Sequence, residues 1–293
     1  MSGGVRRWFE VRVRSSTPGD AAGLLADLLV SLGARGSEER GAWQVAYFEE
    51  PDDPDAFLEA LRSALADEPG VGRVYLEHGW KPHEEWAETW KRGLGERRLT
   101  PRVIVHPSWV EPLEAREDDV VIVLDPGMAF GTAEHGTTRG CVRLMDRAVR
   151  PHDRLLDVGS GSGILAIVAA RTGADHVVAI EADPLACEAL AENVERNGVQ
   201  DRVEVVRSFA TAESVVAYGP VSGIIANIEA GLLEPLFDGF ALALRPGGWL
   251  IVSGILDFEW EGIRSRIEAA GFAFHEVDAD GPWRSGRFER TTG

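Results

Sequence analysis

Apolar and polar residues alternate through RWFEVRVRS at 7–15, the period of a half-buried strand. A helical pattern follows over 18–32, opened by Pro18 in its first turn and closed by Gly33. A short extended piece near 34–39, a turn at Gly41 and a strand AWQVAYFE at 42–49 come next. Residues 54–66 predict a helix and VGRVYLEHG at 71–79 a strand. The order strand, helix, strand, strand, helix, strand is the ferredoxin-like pattern. HEEWAETWKRGLGERR at 83–98 predicts a polar helical connector, with Trp86 and Trp90 four apart on one face. The simple reading of that pair is packing against a neighbouring domain.

Short strands are expected near 103–105 and 120–124, and from residue 136 helix and strand alternate. Helices are predicted at 136–149, 163–173, 184–197, 211–218, 230–244 and 258–270. Strands are predicted at 154–159, 176–183, 203–208, 223–228, 249–256, 272–279 and 285–290. HVVAIEAD and GIIANI are apolar on both faces, which requires a parallel sheet covered by helices on each side. The last two strands, joined by a Gly-Pro loop, read as an antiparallel hairpin closing the sheet. The fold class is therefore α/β, with a seven-stranded Rossmann-like sheet behind a small ferredoxin-like α+β domain. The expected domains are 1–76 for recognition, 77–112 as a helical linker with a small connector, and 113–293 for catalysis.

Composition narrows the class. At 293 residues the chain suits about two domains, and 44% hydrophobic with 27% charged residues describes a globular protein with a sizeable core. No run of eighteen apolar residues exists, so no transmembrane helix is expected, and the first residues lack the apolar region of a signal peptide. Two cysteines, Cys141 and Cys187, form neither a disulfide framework nor a metal-ligand spacing, which fits a reducing cytoplasm. A net charge of −18 opposes general binding to nucleic acid. It favours basic partners, or else serves solubility in a salty or acidic host. The front, residues 1–76, holds 8 basic and 13 acidic residues and is not a basic RNA-binding module.

The chemistry begins at LLDVGSGSG, residues 155–163, where an apolar run ends in glycines at 159, 161 and 163 before a helical pattern. Glycine takes positive φ and lets backbone approach a ligand closely. Glu181, twenty-two positions after Gly159, falls where the next strand would present a carboxylate to ribose hydroxyls. A dinucleotide fingerprint is G-x-G-x-x-G, but its third glycine position is here Ile164. The G-x-G-x-G spacing and the upstream Asp157 resemble the first motif of class I S-adenosylmethionine methyltransferases. That cofactor carries no pyrophosphate and needs no phosphate cradle. A terminal antiparallel hairpin suits the same group and opposes an NAD-dependent oxidoreductase.

Longer stretches resemble one family, the ribosomal protein L-eleven methyltransferases. DPGMAFGTAEHGTT at 125–138 is similar to its DPGxAFGTGTHPTT signature, and LDVGSGSGILAI to its first motif. NVERNGVQ resembles the end of its second helix, NIEA at 227–230 its NILA, and SGIL at 253–256 its fifth strand. EEWAETWKR and HPSWVEP resemble its linker. The likeness runs over nearly the whole chain. It implies a substrate-recognition domain, a helical linker and a catalytic domain that methylates lysines and the N-terminal amine of one large-subunit ribosomal protein. Carried over by position, Thr138, Gly159, Glu181 and Asn227 would contact S-adenosylmethionine, with Gly161 and Phe130 beside it. No membrane or nucleic-acid partner is implied, and a monomer is expected. Glu181 stands where most members carry Asp. Ala133 and Glu134 replace Gly-Thr of the signature, Gly136 replaces its Pro, and Glu229 replaces the Leu of NILA.

Methyl transfer from a sulfonium is an in-line displacement that needs no metal and no covalent nucleophile; alignment supplies much of the rate. The obstacle is the proton on the acceptor. Freeing a lysine amine near pH 7 costs about 4.6 kcal/mol, an α-amine only about 1 kcal/mol. Burial beside a cation lowers a lysine pKa. Asn227 is the candidate that orients the neutral amine through its side-chain or backbone carbonyl. Asp157 is expected to support the glycine turn. His135 is either a general base or a ring that packs and hydrogen-bonds within the loop. Thr137 and Thr138 either cap a helix or touch the methionine carboxylate. Glu229 either holds a cationic lysine or lies exposed at a helix start. Two alternatives remain open: a different protein's lysines as target, and a non-enzymatic S-adenosylmethionine-binding assembly factor.

Overall fold

The computed structural model describes residues 7–16, 25, 26, 28, 29, 32–34, 36–66, 68, 71–82, 95–112, 115–125, 131 and 133–291. The chain divides into two compact units, Met1–Leu94 and Gly95–Gly293. The predicted helix at 18–32 and the connector with Trp86 and Trp90 lie largely outside the described residues.

In the first unit, β1 (Arg7–Ser15), β2 (Gly36–Arg40), β3 (Trp43–Phe48) and β4 (Val74–Pro82) form a sheet of order β2-β3-β1-β4. Every described pairing is antiparallel, the ferredoxin-like arrangement. Phe9, Val11 and Val13 point to one face and pack with Leu28, Leu29, Ala46, Phe48, Leu61 and Leu65. Leu61 and Leu65 come from α1 (Pro54–Ala66), whose start is fixed by Asp53. The Asp53 carboxylate accepts from the amides of Asp55 and Ala56 at 3.1 and 3.0 Å, with Pro54 needing no partner at the first helical position. The strand predicted at 71–79 begins three residues later. Gly72 sits at φ +67°, so the chain turns there before it extends.

The second unit opens with a small sheet of β5 (Arg97–Arg98), β6 (Val103–His106) and β7 (Val120–Val123). A seven-stranded sheet follows, order β10-β9-β8-β11-β12-β14-β13, among the described residues. Its strands are β8 (Arg154–Val158), β9 (His176–Glu181), β10 (Val203–Arg207), β11 (Val221–Asn227), β12 (Leu244–Leu256), β13 (Phe272–Asp280) and β14 (Trp283–Arg290). The first five run parallel, and the last two close the sheet antiparallel.

Successive residues of a strand serve opposite cores. Leu155, Val177, Ile225 and Ile251 join one apolar cluster, while Leu156, Val178, Ile224 and Leu250 join the other. The first is covered by α2 (Gly136–Ala148), α3 (Ile164–Thr172) and α4 (Pro184–Arg196). The second is covered by α5 (Ala212–Ala217), α6 (Ala230–Leu233), α7 (Phe237–Ala243) and α8 (Trp260–Ala269). Leu99, Val103, Val105 and Ile122 of the small sheet enter the first cluster.

Two expectations are corrected. The helix predicted at 230–244 is α6, a 3-10 turn at Glu234–Leu236 and α7. Pro235 cannot donate the amide hydrogen bond that a continuous helix requires there. The strand predicted from 249 begins at Leu244, and its register against β11 shifts before Gly223.

Candidate functional site

The site is built at the carboxyl edge of the parallel strands, where β8, β9 and β11 lie side by side. After β8 the chain makes three left-handed steps, at Gly159 (φ +74°), Gly161 (φ +54°) and Gly163 (φ +85°), and α3 starts. A Cβ on Gly159 would stand 2.3 Å from Cγ2 of Ile228, so glycine lets the turn lie close against the residue after β11. Glu181 ends β9 and faces the turn. Its Oε2 accepts the Gly161 amide at 2.8 Å, and its Oε1 accepts those of Ala182 and Asp183 at 2.8 and 2.9 Å. One carboxylate thus fixes both the turn and the strand end.

Asp157, fully buried on β8, braces the turn from below. Its Oδ2 accepts from the Ala166 amide at 3.1 Å and its carbonyl from Ser160 Oγ at 3.2 Å. Burial pushes its pKa up to about 7, against those hydrogen bonds and with the Glu181 charge adding to the rise. Asp157 Oδ1 and Thr138 Oγ1 are buried polar atoms without a partner among the described residues. Thr138 lies in the first turn of α2, wholly buried.

The two ends of the DPGMAFGT stretch are tied to this turn. Ser162 Oγ donates to the Gly131 carbonyl at 2.6 Å. Asn193 of α4, also buried, donates through Nδ2 to the carbonyls of Asp125 and Ser162, both at 3.0 Å, and accepts the Asp125 amide at 3.0 Å. Asn197 exchanges two hydrogen bonds with the Val123 backbone, at 2.9 and 2.7 Å. Asp125 in turn accepts from the amide and hydroxyl of Ser108 at 2.8 and 2.7 Å. Sequence reading passed over Asn193 as a functional residue. The available signal was a pair of asparagines four apart near a helix end, residues that helices carry at a cost.

All but one of the proposed contact residues fall among the described residues. Gly159, Gly161 and Glu181 are brought together directly. Asn227, half-buried, ends β11 and pairs in register with Ser253 of β12. Ser253 Oγ reaches the Thr137 carbonyl at 3.3 Å and Ser285 Oγ at 2.7 Å, linking that strand to the start of α2. Gly254, at φ +83°, leaves room for the Ile228 backbone; a Cβ there would lie 2.3 Å from its carbonyl oxygen. Phe130 lies outside the described residues.

His135 is the N-cap residue of α2, its Nδ1 2.6 Å from Thr137 Oγ1 and its ring 5.3 Å from that of Trp283. That is the packing and hydrogen-bonding alternative for this residue. Glu134 is held by Arg97 through two contacts of 2.7 and 2.8 Å. Gly136 lies under Trp283, where a Cβ would meet the ring and the Asp280 carbonyl at 3.1 Å. Glu229 stands exposed at the N-cap of α6, and its side chain makes no capping bond; this is the exposed helix-start alternative for the residue.

The residues present fit S-adenosylmethionine. A glycine turn leaves the backbone bare, an acceptor carboxylate closes it, and two buried polar atoms have no hydrogen-bond partner among the described residues.

Comparison with known proteins follows the same lines. A family model described as ribosomal protein L11 methyltransferase (PrmA) matches residues 19–291. A ribosomal protein L11 methyltransferase of Pelotomaculum thermopropionicum is 44% identical over 200 residues, 68% of this chain and 64% of that protein. The alignment thus spans just under two thirds of that relative's own length. One from Clostridium botulinum strain Alaska E43 is 36% identical over 252 residues, 84% of this chain and 79% of that protein. The crystal structure of a ribosomal protein L11 methylase from Lactobacillus delbrueckii subsp. bulgaricus superposes with a TM-score of 0.60 at 30% identity. It covers 68% of this chain and 100% of that one.

Proposed function

This chain belongs to the ribosomal protein L11 methyltransferase family, and on that footing we propose that it transfers methyl groups from S-adenosylmethionine to amines of ribosomal protein L11. The observation that carries the reading is the Gly161–Glu181 hydrogen bond beneath a turn of three left-handed glycines, together with a buried Thr138 hydroxyl that has no partner among the described residues.

When bound, S-adenosylmethionine supplies an electrophilic methyl group on a sulfonium sulfur. Glu181 keeps acceptor capacity for ribose hydroxyls, since each carboxylate oxygen has more than one lone pair. Gly159 and Gly161 shape the backbone against the ligand. Thr138 offers its hydroxyl, and Asp157 Oδ1 a second acceptor, to the methionine end. Asn227 orients the acceptor amine through a carbonyl oxygen, leaving the nitrogen lone pair toward the methyl group. Holding these groups in line is worth several kcal/mol of the barrier, of order 7–11 in well-oriented systems. We assign recognition of the protein substrate to the first unit, which carries no catalytic constellation in the sequence. The acidic chain, at −18, suits a basic substrate. No helix among the described residues is long and apolar enough to cross a membrane.

A second reading keeps the chemistry and changes the target, and the uncapped Glu229 carboxylate favours it as a seat for a different lysine. Intact-mass spectrometry of the host's L11 after incubation with the enzyme and S-adenosylmethionine separates the two. Mass gains in whole methyl units establish the substrate. No gain, with cofactor binding intact, moves the substrate to another protein.

A further inference from the structure

Three arginines on α2 meet three acids on β13 in reverse order. Arg139 donates through Nε and Nη2 to Asp280 at 2.9 and 2.6 Å. Arg143 donates likewise to Asp278 at 2.8 and 2.5 Å and also reaches Asp280 at 2.9 Å. Arg147 donates to Glu276 at 3.0 Å. The match is geometric: four helical residues advance about 6.0 Å and two strand residues about 6.8 Å. Glycines bring the elements close enough for it. A Cβ on Gly140 would lie 2.3 Å from Ser285 Oγ.

Arg139 differs from the other two. Its remaining terminal nitrogen, Nη1, donates to the Glu134 carbonyl, in the residue before the helix cap His135. Glu134 is also held through its carboxylate by Arg97. A chain of charge-assisted contacts therefore runs from Arg97 through Glu134, Arg139 and Asp280 to Arg143 and Asp278. Of the three arginines, Arg139 is the one that, among the described residues, joins the hairpin to the backbone entering α2, one turn ahead of Thr138. A guanidinium presents separate donors in a rigid fork, so one side chain grips a carboxylate and a carbonyl together; an ammonium is a single point.

We propose that Arg139 is a positioning residue for cofactor binding: by clamping the Glu134 carbonyl to Asp280, it sets the turn 134–138 and the Thr138 hydroxyl against the glycine turn. The inference rests on the cofactor reading above. A purely structural ion pair would affect folding alone, as Arg143 is expected to do.

The test compares full-length wild type with Arg139→Met, Arg139→Lys and Arg143→Met, by calorimetric titration with S-adenosylmethionine and by thermal melting. Arg139→Met is expected to weaken cofactor binding tenfold or more. Arg139→Lys is expected to melt near wild type, since the charge remains, yet to recover little of the lost affinity. Arg143→Met is expected to melt lower while binding within twofold of wild type. Equal loss of affinity in Arg139→Met and Arg143→Met overturns the proposal, as does full recovery in Arg139→Lys or unchanged affinity in both Arg139 variants. Absence of binding by the wild type itself overturns the cofactor reading and the inference with it.

Discussion

The backbone amide of Gly161 donates to the Glu181 carboxylate at 2.8 Å, so the turn and the acidic strand end form one unit. A residue assigned to ribose binding therefore also shapes the loop under the ligand. Glu181→Ala is expected to lower S-adenosylmethionine affinity at least tenfold. It should also lower thermal stability, by about 1.5–3 kcal/mol, because three amides lose a charged acceptor. Glu181→Gln keeps an acceptor oxygen and should restore stability before affinity. Calorimetry and melting on the same samples read both effects, and unchanged affinity in Glu181→Ala refutes the ribose role.

Gly159 and Gly254 grip Ile228 from two sides. Both have positive φ, +74° and +83°. An alanine at either costs about 1–2 kcal/mol in backbone conformation alone. The clashes differ. Gly159→Ala meets a side-chain methyl that can rotate, whereas Gly254→Ala meets the Ile228 carbonyl oxygen. Gly254→Ala is expected to cost more stability and to reduce kcat by displacing Asn227, whereas Gly159→Ala chiefly raises KM for the cofactor. Steady-state kinetics with both substrates varied decides this, and equal kcat in the two variants contradicts it.

Asp157 sets a pH dependence of stability. Burial raises its pKa in the folded chain to about 7, above the ordinary 3.8. The unfolded chain releases this proton near pH 4 and the folded chain near pH 7. Stability contributed by the protonated group is thus whole below pH 4 and falls by about 1.4 kcal/mol per pH unit between those limits. Asp157→Asn removes the decline. The difference in unfolding free energy, variant minus wild type, should rise from pH 4 to 7 and then level. A difference independent of pH would show that Asp157 is ionised throughout.

Asp280 has the opposite sign. Hydrogen bonding from Arg139 holds its carboxyl down to about 2, with Arg143 adding to the effect. The clamp is intact above pH 4 and is lost as pH falls from 4 toward 2. Asp280→Asn should match wild type in its acid-melting limb below pH 2 and melt lower at pH 7. Coincident curves at every pH would leave the pair without energetic weight.

Removing residues 1–94 tests the division of labour. The remaining unit is expected to bind S-adenosylmethionine and to fail to methylate L11. Retained methylation shows that recognition resides in the second unit.

Much of this molecule is legible along the chain because its signals are local. The apolar runs of β8, β9 and β11 announce strands buried on both faces, and the glycine spacing before Ile164 announces the turn. Asp183 and Pro184 open α4 with a capping carboxylate and a residue that needs no amide partner. Glu181 follows from its distance to the turn, since a strand, a helix and a strand span a set length. Sequence read the helix after Asn227 too long, because apolar periodicity continues through Pro235 while the amide hydrogen bonds do not.

What only the tertiary structure decided are partnerships between residues far apart in sequence. Asn193 reaches Asp125 across 68 positions, Glu134 reaches Arg97 across 37, and Arg139 reaches Asp280 across 141. No local spacing encodes such a pair, since each is fixed by sheet order and by how closely a helix can approach a hairpin. The chain by itself determined which elements form and where the glycine turn must lie. The packed sheet decided which polar side chains meet over that turn, because only burial brings donor and acceptor together and makes leaving either one unpaired costly.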